Sequence, residues 1–580
     1  MSMFQRFSRR ALLTGAGGVA AAAVAGCGGG GKNANGGGGA GSSGGGSNYK
    51  PGTASLKVEL GKEIEGVLYP EGYIGPKARE FKPFSDGSTN FRIVGRQFPD
   101  FDLATNAFSK HLEEATGMKV TYEAIPPGDD GAPKLNAMIT SGDLPDAFMT
   151  GPRWMGGFSR SQLWAYGKQG LFMDLNQLVD EYMPEALEMF KTNPKLREVM
   201  TTPDGTLYAI PAANQCYHCA SAAHRTWIHT PIAEEFGVAA TNGVNTIDEF
   251  EKLLRDIKAA HPEMTPLSGH QDLPPIALVC AAFLNLGIDH LRREGGKPVY
   301  TPLDEKFREA MAFMNKLVKD KLTDEAAFTQ TKDQLTRLAM DPAGSRVAVV
   351  AGQSQGDFAT VDLTDPASRH REFIPFKPFT GPDGKATVGW SYDPGAVVGL
   401  IIPSKAQKPE EIAQWADYQL GLVSTLNMRL GPNNNWAWAT EGEKGIDERQ
   451  AIYKVTEPAP KNGNWWEWCT YNLVLDVRHG EAVDDASSIE PSLYRAGKMY
   501  EPFAMKEDEF FMEPFFDETQ AAEVGELRTN IDNAFKQGMT NLALGKLDPE
   551  KDADWESYKT SVKAAGVDRY LEILEAADKA

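Results

Sequence analysis

The stretch that decides the fold is NFRIVGRQFPDFDLATNAFSKHLEEATGMKVTYEAIPPGDDGAPKLNAMITSGDLPDAFM, residues 90–149. β-type runs alternate in it with segments whose apolar residues recur at helical spacing. Gly117 and Gly142 end the two helical patterns. Strand, helix, strand, helix and strand are predicted in turn near 90–95, 103–116, 119–125, 135–141 and 144–149. This alternation predicts an α/β fold with a parallel sheet and helices packed on it.

The chain continues far beyond this unit. Thr246 precedes an apolar-periodic segment and Glu249 follows three residues later, which is the pattern of a capping box. The body of about 530 residues is too large for one hydrophobic core and predicts two or more lobes. Further helices are predicted at 246–260, 304–319, 523–545 and 554–578, and further strands at 346–351 and 396–402.

The formal charge of the chain is −20. An acidic surface repels phosphate backbones and anionic lipid headgroups, so nucleic acid and direct membrane-surface binding are both disfavoured. No apolar stretch long enough to form a membrane-spanning helix follows the first 26 residues. We therefore expect no nucleic-acid partner, and any membrane attachment must come from the N-terminus.

The N-terminus has the pattern of an export signal. Arg6, Arg9 and Arg10 precede a short apolar run, and the pair Arg9-Arg10 resembles a twin-arginine signal. The run ends in Val24-Ala25-Gly26-Cys27, as bacterial lipoprotein signals do. Twelve of residues 28–47 are Gly, which predicts a flexible stalk. We expect residues 1–26 to be removed, Cys27 to carry the lipid, and 27–87 to form a stalk and extended arm.

Four cysteines follow Cys27: Cys216, Cys219, Cys280 and Cys469. Outside the cell they form one or two disulfides or remain free thiols, and the sequence leaves the pairing open. Cys216 and Cys219 with His224 and His229 resemble zinc ligands, but the spacing between the two pairs is too short for a zinc finger. We predict no metal and no cofactor.

Several motifs resemble those of extracellular solute-binding proteins of carbohydrate ABC importers, in the large branch that includes oligosaccharide binders. They are Ser141-Gly-Asp-Leu-Pro-Asp146, Asp204-Gly-Thr-Leu-Tyr-Ala-Ile-Pro211, Asn541-Leu-Ala-Leu-Gly545, Trp555-x-x-Tyr558 and Gly566-Val-Asp-Arg-Tyr570. Some members carry a calcium loop, but the corresponding residues 259–267 have one carboxylate, too few for calcium.

The resemblance implies a two-lobed, periplasmic-binding-protein-like α/β fold with a hinge and a ligand cleft between the lobes. We expect one lobe from 88–211 and 380–425, and the other from 212–379 and 426–580. The implied function is that of a monomeric, lipid-anchored, extracytoplasmic protein that captures an oligosaccharide by hinge closure. It would deliver the sugar to permease subunits, which work with a separate ATPase.

Aromatic residues are the strongest candidates for sugar contacts. Five of the eleven tryptophans lie within residues 436–468, beside three consecutive asparagines. Flat rings match the apolar face of a pyranose, and amides match its hydroxyl rim. A core patch that uses tryptophan is the alternative interpretation. The candidates here are Asn435, Trp436, Trp438, Trp465 and Trp466, with a second group of Trp390, Tyr392 and Asp393 before a strand where the resemblance puts a hinge crossing.

Loops that follow strands line the crevice of α/β sheets. The residues after the first and third strands are therefore candidates, as are two aromatic residues beyond the Ile-Pro segment; each has the alternative of an ordinary loop residue. These candidates are Arg96, Gln97, Arg153, Trp154, Tyr217 and Trp227.

Two other functions remain open from the sequence. Gly352-Gln-Ser-Gln-Gly356 fits a nucleophile elbow, so a secreted carbohydrate-active hydrolase using Ser354 or a carboxylate pair is the alternative. An elbow needs a substantial helix behind it, and Asp365-Pro366 interrupts the chain within ten residues. A surface-adhesion module is the third possibility. We favour a binding protein without enzyme activity.

Overall fold

The computed structural model describes residues 49–98, 101–149, 151, 157–221, 225–238, 243–432, 434–466 and 469–579. The predicted signal peptide, Cys27 and the Gly-rich stalk lie outside the described residues. Among the helices of the described part, none combines the length and apolar character needed to cross a membrane.

The strands are β1 Asn90–Arg96, β2 Lys119–Ile125, β3 Ala147–Met149, β4 Ile210–Asn214, β5 Arg225–His229, β6 Thr265–Ser268, β7 Leu291–Glu294, β8 Lys297–Tyr300, β9 Val347–Gly352, β10 Phe373–Phe376, β11 Ala396–Leu400, β12 Trp436–Trp438, β13 Tyr453–Val455 and β14 Asn472–Leu473.

The helices are α1 Ala107–Thr116, α2 Ala132–Ser141, α3 Arg160–Lys168, α4 Asn176–Tyr182, α5 Pro184–Thr192, α6 Pro194–Glu198, α7 Tyr217–Ala220, α8 Thr230–Glu235, α9 Ile247–Ala260, α10 Ile276–Cys280, α11 Glu305–Lys319, α12 Lys332–Ala339, α13 Pro409–Leu420, α14 Leu422–Leu430, α15 Leu475–His479, α16 Glu490–Tyr500, α17 Glu518–Ala543, α18 Asp552–Ala564 and α19 Val567–Asp578.

Local signals set the helix ends. Helix α1 begins where the Asn106 side chain accepts a hydrogen bond from the Phe108 N–H, and it ends at Gly117, whose φ is 73°. Thr246 caps α9 as predicted, but the Glu249 carboxylate accepts from the Asn245 N–H, so the predicted capping box is only half formed. The single helix predicted over 554–578 is two helices, because Gly566 adopts φ 98° between them.

The first sheet confirms the predicted parallel arrangement. Strand β1 pairs in parallel with β2 on one side and β3 on the other. An antiparallel bridge between Phe148 and Ile401 brings β11 beside β3, and β11 pairs with β4, which pairs in parallel with β14. The order along the sheet is therefore β2-β1-β3-β11-β4-β14, with helices such as α1 packed on it.

The second sheet has the order β10-β5-β9-β6. Strand β5 is antiparallel to β10 and β9, and β6 is parallel to β9. Every residue of β5 and β9 is buried, because helices and loops cover both faces of the sheet. Two main buried clusters result, and we call the parts of the chain built on them the first unit and the second unit.

The units differ in composition from the expected lobes. Residues 426–477, expected in the second lobe, contribute Leu426, Met428 and Leu473 to the first core. The physical reason is that β14 returns to the first sheet and pairs with β4. The chain therefore crosses between the units after β4, after β10 and after β14.

Residues 49–87 form an extended arm along the first unit, with an isolated bridge between Glu63 and Arg79 as their regular pairing. Near its start, Tyr49 Oη donates to the Asp180 carboxylate of α4 at 2.7 Å. Farther along, the Ile74 N–H donates to the Asp476 carboxylate at 2.7 Å. The arm therefore contacts the first unit from α4 to α15.

Candidate ligand-binding site

The crossings connect strand ends of the first sheet to strand ends of the second, and we call these two sets of strand ends the cleft edges. The first crossing leaves the first sheet at Asn214 and enters the second at Arg225. Arg225 pairs with Gly352, so the carboxyl end of β9 lies at the same edge. The second crossing leaves that edge after Phe376 and returns to the first sheet at Ala396. Ligands of open α/β sheets bind at the carboxyl ends of strands, so the space between these edges is the candidate cleft.

The first two candidates, Arg96 and Gln97, form hydrogen bonds that stabilise neighbouring loops. Arg96 ends β1 and is 1% exposed, and its Nη1 donates to the Pro126 carbonyl at 2.6 Å. The Gln97 side-chain oxygen accepts from the Leu103 N–H at 3.1 Å. Both residues lie at or just after the carboxyl end of β1, but Arg96 is too buried to be a ligand contact in this structure and instead positions the loop after β2.

Trp465 is a core residue, which corrects its prediction as a cleft residue. Its ring is fully buried against Phe108 and Trp415, with ring centroids 5.1 and 6.0 Å away. Its Nε1 donates to Ser109 Oγ at 2.8 Å. The core interpretation therefore holds for this member of the tryptophan group.

Trp436 and Trp438 lie on one face of strand β12, as their spacing requires in an extended segment. Both are half-buried, and their rings meet edge to face with centroids 4.8 Å apart. Trp436 Nε1 donates to Asn427 at 2.9 Å. Asn435 is buried, and its amide donates to the Glu457 and Pro458 carbonyls. It therefore stabilises the turn and is not part of an accessible surface.

Trp466 has a different environment from its neighbour Trp465. Its backbone φ is 62°, it is half-buried, and the Arg429 guanidinium lies 4.8 Å from its ring centroid. Its N–H donates to the Met428 carbonyl at 3.0 Å, which fixes the segment to the end of α14. Of the tryptophans in this group, Trp436, Trp438 and Trp466 thus keep partly accessible rings.

The crossing candidates meet one another. The rings of Tyr217 and Trp390 contact edge to face, with centroids 5.9 Å apart. Tyr392 Oη donates to the Met505 carbonyl at 2.7 Å, while Asp393 is exposed and its carboxylate accepts from the Gly395 N–H. Trp390 is mostly buried here, so this group packs the junction of the crossings.

The remaining candidates are Trp227, Arg153 and Trp154. Trp227 is fully buried in β5, and its Nε1 donates to the Gly352 carbonyl at 2.9 Å, which corrects its prediction as a ligand contact. Arg153 and Trp154 lie outside the described residues.

A group of charged residues at the crossings was not among the predicted residues. His218 Nδ1 and Arg478 Nη1 lie 3.4 and 3.6 Å from the two oxygens of Glu490. Burial lowers the pKa of His218 to about 4, so it is neutral at pH 7. Burial by itself would raise the pKa of Glu490, but His218 when protonated and the Arg478 and Arg429 guanidinium groups bring that pKa below its ordinary value. No sequence signal joins these residues, because His218 comes from the first crossing and Arg478 and Glu490 come from the two sides of the third.

The cysteine pairing left open by the sequence is resolved. Cys216 and Cys219 form a disulfide around the short helix α7, and Cys280 and Cys469 are buried free thiols. His218 Nε2 lies 3.4 Å from Cys216 Sγ, but both sulfurs of the pair are already used in the bond. The disulfide therefore occupies the atoms that a metal would have needed.

Ser354 does not have the surroundings of a nucleophile elbow. It begins a 3-10 helix of three residues, Gln355–Asp357, rather than a long helix. Its Oγ accepts from the Gly356 N–H at 3.2 Å, and the Asp357 carboxylate accepts from the Gln353 and Ser354 N–H groups. The Gly-x-Ser-x-Gly loop thus folds as a capped turn at the cleft edge.

Comparison with known proteins supports the resemblance seen in the sequence. Residues 97–217 match the profile of the family described as bacterial extracellular solute-binding protein. The fructooligosaccharide ABC transporter substrate-binding protein FusA of Streptococcus pneumoniae is 23% identical over 498 residues, which cover 80% of this chain and 85% of that protein.

Solved structures share the fold. FusA of S. pneumoniae in complex with kestose matches with a TM-score of 0.63 and 19% identity, over 84% of this chain and 98% of that one. An extracellular solute-binding protein of Bifidobacterium longum subsp. infantis gives 0.67 and 16%, over 85% and 99%. The alginate-binding protein AlgQ2 without calcium ion gives 0.59 and 16%, over 87% and 100%. The two-lobed α/β fold is therefore confirmed.

Proposed function

We propose that this protein is the substrate-binding component of an ABC importer and captures an oligosaccharide between its two units. The observation that carries the proposal is the pair of sheet edges joined by three crossings. Three connections would let the two units rotate toward each other, and a ligand that contacts both edges would stabilise the closed arrangement. The likeness to FusA over most of both chains supports an oligosaccharide as the cargo.

The cleft carries groups suited to sugars. In this proposal half-buried Trp466 would offer the part of its indole ring that Arg429 leaves uncovered, and the loops after β9 and β6 would supply amides such as those of exposed Gln353 and Gln271. Stacking of C–H faces on aromatic rings, together with hydrogen bonds to hydroxyls, is sufficient for reversible binding. No covalent step belongs to the proposal, and the capped turn at Ser354 favours binding over the hydrolase alternative.

The remaining parts of the proposal concern location and partners. Cys27 would carry the lipid that holds the protein outside the cell membrane after export by a twin-arginine-type signal. The protein would act as a monomer and release its sugar to permease subunits, with ATP hydrolysis supplied by a separate chain. The arm would then connect the anchor to the first unit.

Titration calorimetry with kestose and other small oligosaccharides tests the proposal, followed by chromatography of the recovered sugar. The expected result is binding with one site per chain and intact sugar after prolonged incubation. Release of shorter saccharides at a catalytic rate would favour the hydrolase. Absence of binding across a broad oligosaccharide panel would overturn the proposed function.

A further inference from the structure

Arginines at the cleft edges bond to the protein's own main chain. Two of them end or begin a strand, two lie in the helices that follow β3 and β14, and each of the four donates to a backbone carbonyl of a neighbouring segment. They are Arg96, Arg160, Arg225 and Arg478. A guanidinium used in this way orders a loop and is not presented to a ligand.

On the first edge, Arg96 follows β1 and bonds to the loop after β2. Arg160 begins α3, directly after the loop that follows β3. Its Nη1 donates to the Val199 carbonyl at 2.8 Å, and its Nη2 donates to the Glu513 carbonyl at 2.5 Å. Since Glu513 precedes α17 of the second unit, this arginine connects main chain from both units.

Across the cleft, Arg225 begins β5 and is 2% exposed. It donates to the carbonyls of Gln353 and His218 and to Ser221 Oγ, which orders the loop after β9 and the first crossing. Arg478 donates to the Gln215 carbonyl at 2.7 Å and to the Asn214 side chain at 2.8 Å, and it pairs with Glu490.

The lysines near the second edge are also engaged. Lys332 Nζ lies 4.0 Å from the Asp357 carboxylate, and Lys377 Nζ donates to the Asn245 side chain at 2.8 Å. The chain as a whole carries −20, so its long-range field repels an approaching anion. Among the residues that the structure describes, the arginines and lysines named here are bonded within the protein, and the long-range field does not favour a carboxylate ligand.

We infer that the cargo is a neutral oligosaccharide and that uronate or other acidic oligosaccharides are excluded. The inference rests on the proposed function and names the substrate class for the same cleft. Recognition of a sugar carboxylate normally uses an arginine that can offer two parallel N–H groups. Turning one of these four toward a ligand would leave buried carbonyls without donors, which is costly.

Affinity measurements at two salt concentrations test the inference. The neutral probes are kestose, maltotriose and xylotriose, and the acidic probes are trimannuronate and trigalacturonate. We expect a neutral probe to bind about 100-fold tighter than either uronate, with less than about a two-fold change between about 50 and 500 mM NaCl. Tightest binding of a uronate, or affinity that falls steeply with salt, would overturn the inference but leave the proposed function intact. If all neutral and acidic probes fail to bind, the proposed function fails first, and the inference with it.

Arg160→Gln tests the positioning role, with Arg346→Gln as the matched control. Arg346 directly precedes the amino end of β9, away from the cleft, and pairs with Asp341 at 3.3 Å. We expect Arg160→Gln to weaken the neutral probe about ten-fold while the affinity remains independent of salt. Arg346→Gln should bind like the wild type. A salt-dependent affinity that disappears in Arg160→Gln would instead identify Arg160 as an anion contact and overturn the inference.

Discussion

Arg478 Nη1 lies 3.6 Å from Glu490 Oε1, and the pair joins α15 of the first unit to α16 of the second across the third crossing. Both side chains are largely buried, and Arg478 also bonds to the first crossing at Asn214 and Gln215. One ion pair therefore connects two of the three segments that must bend when the units move.

Glu490→Gln tests the contribution of this pair. The change leaves Arg478 buried beside a neutral amide, so we expect the free energy of unfolding in urea to fall by about 1–3 kcal/mol. Asp485→Asn is the control. Asp485 precedes α16 and pairs with Arg495 of that helix, and both side chains are more than half exposed. The control should change stability by less than about 1 kcal/mol. Equal effects of the two variants would contradict the role of the buried pair.

The stability of the first unit should depend on Glu185. Burial raises the pKa of this carboxyl to about 7, partly offset by Arg79 and reinforced by Glu188 and Glu63. Buried Asp417 also faces it and accepts the Glu185 and Ala186 N–H groups. The pKa of Glu185 in the folded protein is above the unfolded value of 4.5. The contribution of Glu185 to the free energy of unfolding is therefore complete below pH 4.5 and is lost as the pH rises through 7.

Glu185→Gln should therefore stabilise the protein at high pH. We expect a gain of about 3 kcal/mol at about pH 8.5, and a gain of under about 1 kcal/mol at about pH 5, measured by urea unfolding. Glu188→Gln, on the same helix, should differ from the wild type by less than about 1 kcal/mol at both values. A Glu185→Gln effect that does not grow with pH would refute the assignment.

Adjacent tryptophans should respond in opposite ways. Trp465→Ala removes a fully buried ring and should cost about 3–5 kcal/mol of unfolding free energy, with little change in sugar affinity for the folded fraction. Trp466→Ala removes a half-buried ring and should cost less than about 1.5 kcal/mol of stability. Its loss should weaken sugar binding by about 1–3 kcal/mol, measured by calorimetry. Normal affinity in Trp466→Ala would remove this residue from the site.

Cys27→Ala tests the proposed anchor. Without a thiol at this position no lipid can be attached, so the protein should appear in the soluble fraction or persist as uncleaved precursor. Mass spectrometry of the wild-type N-terminal peptide should find acyl chains on Cys27. Cys280→Ala, a change at a buried cysteine, is the control and should remain in the membrane fraction. An unmodified mature N-terminus at another residue in the wild type would contradict the lipoprotein assignment.

The sequence predicted local structure well and long-range pairing poorly. The end of α1 at Gly117 and the start of α9 after Thr246 depend on neighbouring residues, so pattern and caps were sufficient. Strand β14 has only two residues, too few for a periodic signal, although its pairing with β4 decides which unit holds residues 426–477. Contacts between distant segments are invisible to a local pattern.

The candidate site likewise contains features that a local sequence pattern can predict and others that it cannot. Trp465 and Trp466 are neighbours in a segment without regular structure, so no helical or strand period distinguishes the buried ring from the accessible one. Trp466 differs from Trp465 in its positive φ, while the N–H groups of both residues donate to the Met428 carbonyl of α14. Arg96 lies at the end of the first strand, which the sequence pattern could predict, but only the structure showed that its guanidinium bonds to the loop beside it.

The arm attaches the N-terminal segment to the first unit, so the two units differ in how they are connected to the N-terminus. Its first described contacts join Tyr49 and Gly52 to Asp180 of α4, and Lys57 pairs with the neighbouring Glu181 at 2.7 Å. Any pull exerted through the N-terminal segment therefore enters the molecule at α4 of the first unit. If the N-terminus is anchored as proposed, the first unit would be the fixed one, and the second unit would move relative to it. Force applied to the second unit would reach this attachment through the three crossings and through contacts such as the hydrogen bond from Arg160 to the Glu513 carbonyl.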